Sequence, residues 1–173
     1  LPIGAVSIAA GWLYTGGPKP YGYFGLGELF VFVFFGLVAT CGSVYAITQT
    51  IDVETWLAAS VVGLLACALL VINNLRDIPG DTQANKKTLA VRIGDRKTRQ
   101  LFYAMFVMVA VMIAVVGISD RSVLIAMLGL VSVVPAVKVV AAGAKGRELI
   151  PVLGATGKAQ LVVGLLLAVG LAI

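Results

Sequence analysis

The sequence predicts an all-α, multi-pass transmembrane helical bundle, and three observations predict it. The 173 residues are 60% apolar and only 12% charged, against about 25% charged in an ordinary soluble domain. Mean hydropathy is +1.04. Apolar runs of membrane-spanning character recur along the chain, and open strands cannot cross hydrocarbon without leaving backbone groups unpaired, so each run is read as a helix.

Taken in order, six spans are expected. The first, residues 1 to 14, is short for a crossing that needs about 20 apolar residues. Residues 28 to 48 ("ELFVFVFFGLVATCGSVYAIT") and 55 to 73 ("TWLAASVVGLLACALLVIN") follow, then 100 to 118, 123 to 141 and 158 to 173. The opening "LPIGAVSIAAGWLY" has neither an initiator Met nor a basic stretch ahead of a cleavage site. Residue 1 is therefore expected to lie inside a longer protein rather than in a signal peptide. Glycines within the spans, among them Gly36, Gly42, Gly63 and Gly164, are expected to let helices approach closely.

The net charge of +5 would suit nucleic acid if it were gathered on one face, but the basic residues lie in the connections between spans. No nucleic-acid partner is expected; anionic lipid of the bilayer or an anionic substrate is. The connection at 15 to 27 carries Lys19, that at 74 to 99 carries Arg76, Lys86, Lys87, Arg92, Arg96, Lys97 and Arg99, and that at 142 to 157 carries Lys145 and Arg147. These three alternate with two acidic or nearly neutral connections at 49 to 54 and 119 to 122. The positive-inside rule puts the three basic, longer connections in the cytoplasm of a cell membrane. Histidine is absent, which excludes histidine catalysis and histidine-ligated metals within this stretch. Cys41 and Cys67 fit no metal or disulfide spacing and read as small core residues.

The stretch "NNLRDIPGD", residues 73 to 81, stands where the third span ends. In a continuing helix Asn73, Asp77 and Asp81 fall at i, i+4 and i+8 on one face, with Asn74 and Asp77 at i, i+3. Pro79 and Gly80 suggest that the helix distorts or stops before Asp81. Like charges a turn apart at a membrane helix end are unfavourable, and a divalent cation removes the penalty. Asp and Asn oxygens suit Mg²⁺, which takes one or two carboxylates together with substrate phosphates. Arg76, Lys86, Lys87 and Arg92 are candidates for the remaining phosphate charge. A solvated loop of mutually paired acids and bases is the plainer alternative. Farther on, "KKTLAVRIGD" (86 to 95) is expected to form one or two helical turns ended by Gly94, with Asp95 as N-cap of the next span.

The run "NNLRDIPGDTQANKKTLAVRIGD" resembles the second aspartate-rich motif of the UbiA-type intramembrane prenyltransferases, in the form found in dihydroxynaphthoate prenyltransferases. "YTGGPKPYGYFGLGELFVFVFFG", residues 14 to 36, resembles the same subfamily. The resemblance implies a nine-helix bundle with two Asp-rich motifs on cytoplasmic loops, of which this chain holds the second and about six spans. It implies one prenyltransferase domain over 1–173, its N-terminal helices missing, with 74–99 as the cytoplasmic catalytic loop. By resemblance Asp77 and Asp81 are catalytic metal ligands for Mg²⁺, Asn73 and Asn74 are further oxygen donors, and Lys86, Lys87 and the less secure Lys19 contact diphosphate. The implied reaction moves an isoprenyl chain from polyprenyl diphosphate to 1,4-dihydroxy-2-naphthoate with decarboxylation, giving demethylmenaquinone. Tyr14, Tyr21, Tyr23 and Glu28 are candidates for the acceptor pocket, the tyrosines competing with an interfacial aromatic belt and Glu28 with a helix N-terminal charge. "FVFVFFG" (30 to 36) reads as core or lipid packing before prenyl-tunnel lining. A different aromatic acceptor and a non-catalytic bundle or transporter are the rival readings. The transporter would call for acids buried within spans, and none lies between the span ends.

Overall fold

The structure, a computed structural model, describes residues 2–17 and 20–173. Its elements are all helical: α1 (Pro2–Thr15), α2 (Gly27–Thr48), α3 (Val53–Gln83), α4 (Leu89–Ser119), α5 (Arg121–Ala141) and α6 (Gly146–Ala172). A single 3₁₀ turn, Tyr21–Phe24, sits between α1 and α2. Five helices, α2 to α6, are long and apolar enough to cross a membrane, whereas α1 is shorter. The six expected crossings are thus five full-length ones and one short helix.

The core is built on α3. Val61, Leu65, Ala68, Ile72 and Leu75 recur at alternating steps of three and four, the stripe of one helical face, and all are buried. Phe102, Phe106, Val109, Ile113 and Val116 repeat the same spacing on α4 and pack into the same cluster, as do Val152, Ala159, Val163 and Leu167 of α6. Large apolar side chains on the outer faces, such as Ile118, Leu128, Leu161 and Leu165, are exposed, as lipid contact requires.

α2 crosses α3 with backbone close against backbone. A Cβ on Gly36 would lie 2.5 Å from the Gly63 Cα, and one on Gly63 would lie 2.8 Å from the Phe32 ring. Both glycines therefore do what was expected of them. Gly42 and Gly164 do not, since neither has anything within 4 Å of an added Cβ; they face open space rather than a neighbouring helix. At the crossing α2 widens into a π-helical stretch, Phe32–Val38, a local irregularity frequent at functional sites.

The connections are shorter than the sequence suggested because the helices run past their apolar segments. α3 continues through Pro79 to Gln83, where a stop before Asp81 was expected. Proline removes one helical hydrogen bond, but the packing face continues beyond it: Leu75 is buried, Ile78 packs on the core and Asp81 is again buried. α3 ends where Asn85 takes a positive φ of 53°. Thr88 then caps α4, its hydroxyl accepting from the Val91 N–H at 3.4 Å. Gly94, at φ 78° and ψ 169°, interrupts α4 after its first turn, as expected. Asp95 is not the cap that was expected. Its carboxylate is forked onto Arg99, with Nε to Oδ1 at 2.7 Å and Nη2 to Oδ2 at 2.9 Å. The segment 74–99 is accordingly a helical hairpin with a five-residue turn at 84–88. The last span starts at Gly146, not near Lys158, leaving only 142–145 as a connection.

Three connections gather at one end of the bundle. The Lys87 N–H donates to the Tyr23 carbonyl at 3.1 Å, joining the α3–α4 turn to the α1–α2 connection. Arg99 donates to the Val140 and Ala144 carbonyls, both at 2.7 Å, joining α4 to the α5–α6 turn. These are the three basic connections.

Candidate functional site

The polar end of α3 stands at this gathering point. Of the residues singled out there, Asn74 and Asp81 face inward, with relative exposures of 7% and 9%. They are seven apart, two full turns along one face. Asn74 Nδ2 donates to Glu28 Oε1 at 3.1 Å. The other Glu28 oxygen, Oε2, is buried without a hydrogen-bond partner. Glu28 occupies the first turn of α2, below the Tyr21–Phe24 turn, and its backbone carbonyl accepts from the Cys67 thiol at 3.1 Å. Cys67 and Cys41 are both free and buried.

Asp81 is held by two long contacts, from Lys86 Nζ at 3.5 Å and from the Thr88 hydroxyl at 3.4 Å. Lys86 also lies 5.2 Å from the centre of the Tyr23 ring, within cation–π range. Asp77 is partly exposed and forked onto its neighbour Arg76, at 2.6 and 2.7 Å. Lys87 and Arg92 are exposed. Arg92 Nε donates to the Lys87 carbonyl at 3.0 Å, and its stem passes over Gly25, where an added Cβ would meet it at 3.0 Å. Gly25 has a φ of 75°, so a glycine serves both the turn and the arginine above it. Lys19 lies outside the described residues.

The arrangement brings together two groups on one face of α3, Asn74 with Glu28 and, two turns on, Asp81 with Lys86, Thr88 and Tyr23, while Asp77 pairs with Arg76. All the acidic and amide donors are hard oxygens, the set that suits Mg²⁺, and Glu28 Oε2 and the weakly held Asp81 leave lone pairs unused. Among the described residues, however, no group of three or more His, Cys, Asp or Glu is spaced to hold a metal ion. The oxygen donors suit such a cation in kind but not in number. Thr88 and Gly25 escaped the sequence reading. Thr88 was legible as a helix cap before an apolar run, but nothing local tied it to an aspartate seven residues earlier.

Two apolar recesses open below the cluster. The larger, about 550 Å³, is lined by Tyr14, Tyr21, Phe30, Phe34 and their neighbours. Tyr21 stacks on Phe30 with ring centres 3.8 Å apart, and its hydroxyl donates to the Ala10 carbonyl at 2.8 Å. Burial raises that hydroxyl's pKa above its ordinary 10.0. Phe30, Val31, Phe34 and Phe35, read from sequence as packing, therefore face a cavity. The smaller recess, about 420 Å³, lies between α2, α3 and α6 and shares Val31, Phe35 and Leu70 with the larger one. Tyr23 lines neither and stands at the rim beside Lys86.

Comparison with known proteins adds an independent line. The sequence profile of the UbiA prenyltransferase family matches residues 1–151. The chain is 45% identical over 172 residues to the 1,4-dihydroxy-2-naphthoate octaprenyltransferase of Mycobacterium tuberculosis, covering 99% of this chain and 59% of that protein. It is 30% identical over 174 residues to the protein of the same name from Bacillus subtilis, covering 99% of this chain and 56% of that one. To the Escherichia coli protein of that name it is 47% identical over 100 residues, which are 58% of this chain and 32% of that protein. The chain thus spans somewhat over half the length of the relatives that it matches end to end. No solved structure matches it.

Proposed function

The chain belongs to the UbiA prenyltransferase family, and on that premise we propose that it carries one half of the metal–diphosphate site of an intramembrane aromatic prenyltransferase. The proposed reaction transfers an isoprenyl chain from polyprenyl diphosphate to 1,4-dihydroxy-2-naphthoate, with loss of the carboxylate as CO₂, giving demethylmenaquinone. The relatives' names support that acceptor. One observation carries the reading: the polar end of α3 sets Asp81 beside Lys86 and Asp77 beside Arg76, one to two helical turns along from Leu70 and Asn73, which line two apolar recesses.

In this reading Asp77 and Asp81 hold Mg²⁺, with Asn73 and Asn74 as further oxygen donors. Bound there, the cation supplies positive charge against a departing diphosphate. Lys86, Lys87, Arg76 and Arg92 hold the diphosphate oxygens by charge-assisted hydrogen bonds, and Lys19 of the α1–α2 connection joins them. For that, Lys86 and Arg76 would exchange their present carboxylate partners for phosphate, which would leave Asp81 and Asp77 free to hold the cation. Glu28 fixes the Asn74 amide and so the face of α3 that meets the substrate. As the allylic C–O bond breaks, positive charge develops on the isoprenyl carbon. The apolar recess walls keep water from that carbon until the electron-rich ring attacks it. The electron pair of the lost carboxylate then restores the aromatic ring.

The recesses divide the substrates. Tyr14, Tyr21, Phe30 and Phe34 surround the larger recess, whose hydroxyls from Ser7 and Tyr21 already donate to the Ile3 and Ala10 carbonyls at 2.9 and 2.8 Å. Such a space suits the isoprenyl chain, so Tyr14 and Tyr21 become its walls, with Tyr23 at the mouth. The three basic connections face the cytoplasm of a multi-pass membrane protein, which places the diphosphate at the membrane surface.

The test uses the full-length protein in lipid vesicles. Asp77→Ala and Asp81→Ala are each expected to abolish Mg²⁺-dependent formation of demethylmenaquinone from the two substrates, with membrane insertion unchanged. Undiminished turnover in both variants would sink the metal assignment.

A further inference from the structure

The smaller recess contains a residue that the reaction above leaves without a role. Gln160 lies midway along α6, within the otherwise apolar run "AQLVVGLLL", and lines this recess together with Asn73. Polar side chains within membrane helices usually hydrogen-bond to a neighbouring helix, because hydrocarbon offers them nothing. Here neither amide is so used: among the described residues, the side-chain hydrogen bonds of the polar end of α3 run through Asn74, Arg76, Asp77, Asp81 and Thr82, and those that reach α6 end on Glu148 and the Gly170 carbonyl. Two helices therefore present unengaged amides to the same space.

The recess is placed for chemistry. Ala66, Leu69, Leu70 and Asn73 line it from α3, at i, i+3, i+4 and i+7, a single helical face. That face leads from the apolar layer to Asp77, one turn or about 6 Å beyond Asn73 along the axis. Phe35 closes the side toward the larger recess. The volume of about 420 Å³ falls within the range of small-molecule sites, about 300–1,000 Å³.

The lining also selects the class of occupant. An isoprenyl chain has no donors or acceptors and would leave both amides unpaired. A diphosphate needs cations, and no Lys or Arg lines this recess. An aromatic ring bearing hydroxyl and carboxylate oxygens satisfies both requirements: its face lies against Phe35, Leu69 and Leu70, and its oxygens meet the amides. We propose that Gln160 hydrogen-bonds the oxygen-bearing edge of the aromatic acceptor, helped by the Asn73 amide N–H₂ while the Asn73 oxygen is left to the cation, and is a determinant of acceptor specificity. The proposal rests on the prenyltransferase reading and deepens it by giving the acceptor its own seat, separate from that of the chain.

The experiment compares wild type with Gln160→Leu, which keeps approximate volume in a membrane helix, and Gln160→Asn, which keeps the amide. KM is measured separately for 1,4-dihydroxy-2-naphthoate and for polyprenyl diphosphate in the full-length protein. Binding of the naphthoate alone is followed by its fluorescence. The expected result for Gln160→Leu is a rise of about tenfold or more in the acceptor KM and in its dissociation constant, with the diphosphate KM unchanged and Gln160→Asn closer to wild type. An unchanged acceptor KM and dissociation constant would overturn the proposal, as would a parallel rise in both KM values with a lowered unfolding midpoint. A wild type that binds the naphthoate through Gln160 but transfers no prenyl group would instead count against the reaction and leave the site standing.

Discussion

Replacing Gly36 by alanine tests the crossing on which the recesses depend. The added Cβ would lie 2.5 Å from the Gly63 Cα and 3.0 Å from the Ala59 carbonyl oxygen. Carbon atoms rest at about 3.5–4.0 Å, so α2 must retreat from α3 by roughly 1–1.5 Å. Both contacts are backbone, and no flexible side chain can move aside. Overpacking of this kind destabilises by about 1–3 kcal/mol. Alanine also gains about 0.5–1 kcal/mol over glycine within a helix, which would obscure the clash if Gly36→Ala were measured alone. Gly42 supplies the control, since it lies on the same helix with nothing within 4 Å of its Cβ position. The propensity gain cancels between the two variants, and their difference is the clash. Reversible unfolding in mixed micelles is expected to show Gly42→Ala at or slightly above wild type and Gly36→Ala about 1–3 kcal/mol below Gly42→Ala. Val31 and Phe35 border both recesses, so Gly36→Ala should also lower turnover. Equal unfolding midpoints for the two variants would refute the close-packed crossing.

Two further outcomes concern the ends of the bundle. Arg99 joins Asp95 to the Val140 and Ala144 carbonyls, with its side chain 11% exposed and that of Asp95 45% exposed. Arg99→Ala is expected to destabilise by about 2–3 kcal/mol, less than a fully buried pair costs because Asp95 keeps access to water; Arg99→Lys should recover less than half, since one ammonium cannot fork and reach both carbonyls. At the opposite end Asp52 caps α3, its carboxylate accepting from the Thr55 N–H and hydroxyl at 2.7 Å each, and those bonds hold its pKa below the ordinary 3.8. A depressed carboxylate pKa gives a contribution that is full above 3.8 and lost as pH falls through the lowered value, so Asp52→Asn should lose that contribution at neutral pH and flatten the acid limb of a stability–pH curve, meeting wild type at low pH; an unaltered acid limb would show that the cap does not titrate.

The membrane class, the helical spans and the charged stretch at the end of the third span were legible because each rests on a local pattern. Apolar runs gave α2 to α6, and Gly94 announced the break in α4. What escaped was set by contacts distant in sequence. Pro79 argues locally for a helix stop, yet Asp81 continues the buried face of Leu75 and Ile78 and the helix persists. Asp95 has the right residue type and place for a cap, but Arg99 four residues on offers a forked partner that a backbone N–H cannot match. Gly36 and Gly42 are indistinguishable on their own helix, and only Gly63 on α3 separates them. Gln160 drew no notice because a lone amide in an apolar run gains meaning only from the amide that faces it.

The length of α3 explains why its polar side chains collect where they do. Its 31 residues extend roughly 46 Å at 1.5 Å per residue, against a hydrocarbon layer of about 30 Å. The surplus, about ten residues, matches the polar stretch from Asn73 to Gln83. α4 has the same length and begins with a comparable polar stretch, so the two form a helical hairpin that continues the core beyond the apolar layer. Asp81 can therefore be buried by protein without entering hydrocarbon, where an ionised carboxylate would be far costlier. A flexible loop would have left the aspartates to solvent, and a helix ending at the membrane edge would have drawn them into lipid. Rigid extension of the helices holds the carboxylates in fixed register over the recesses, within one or two turns of the amides below.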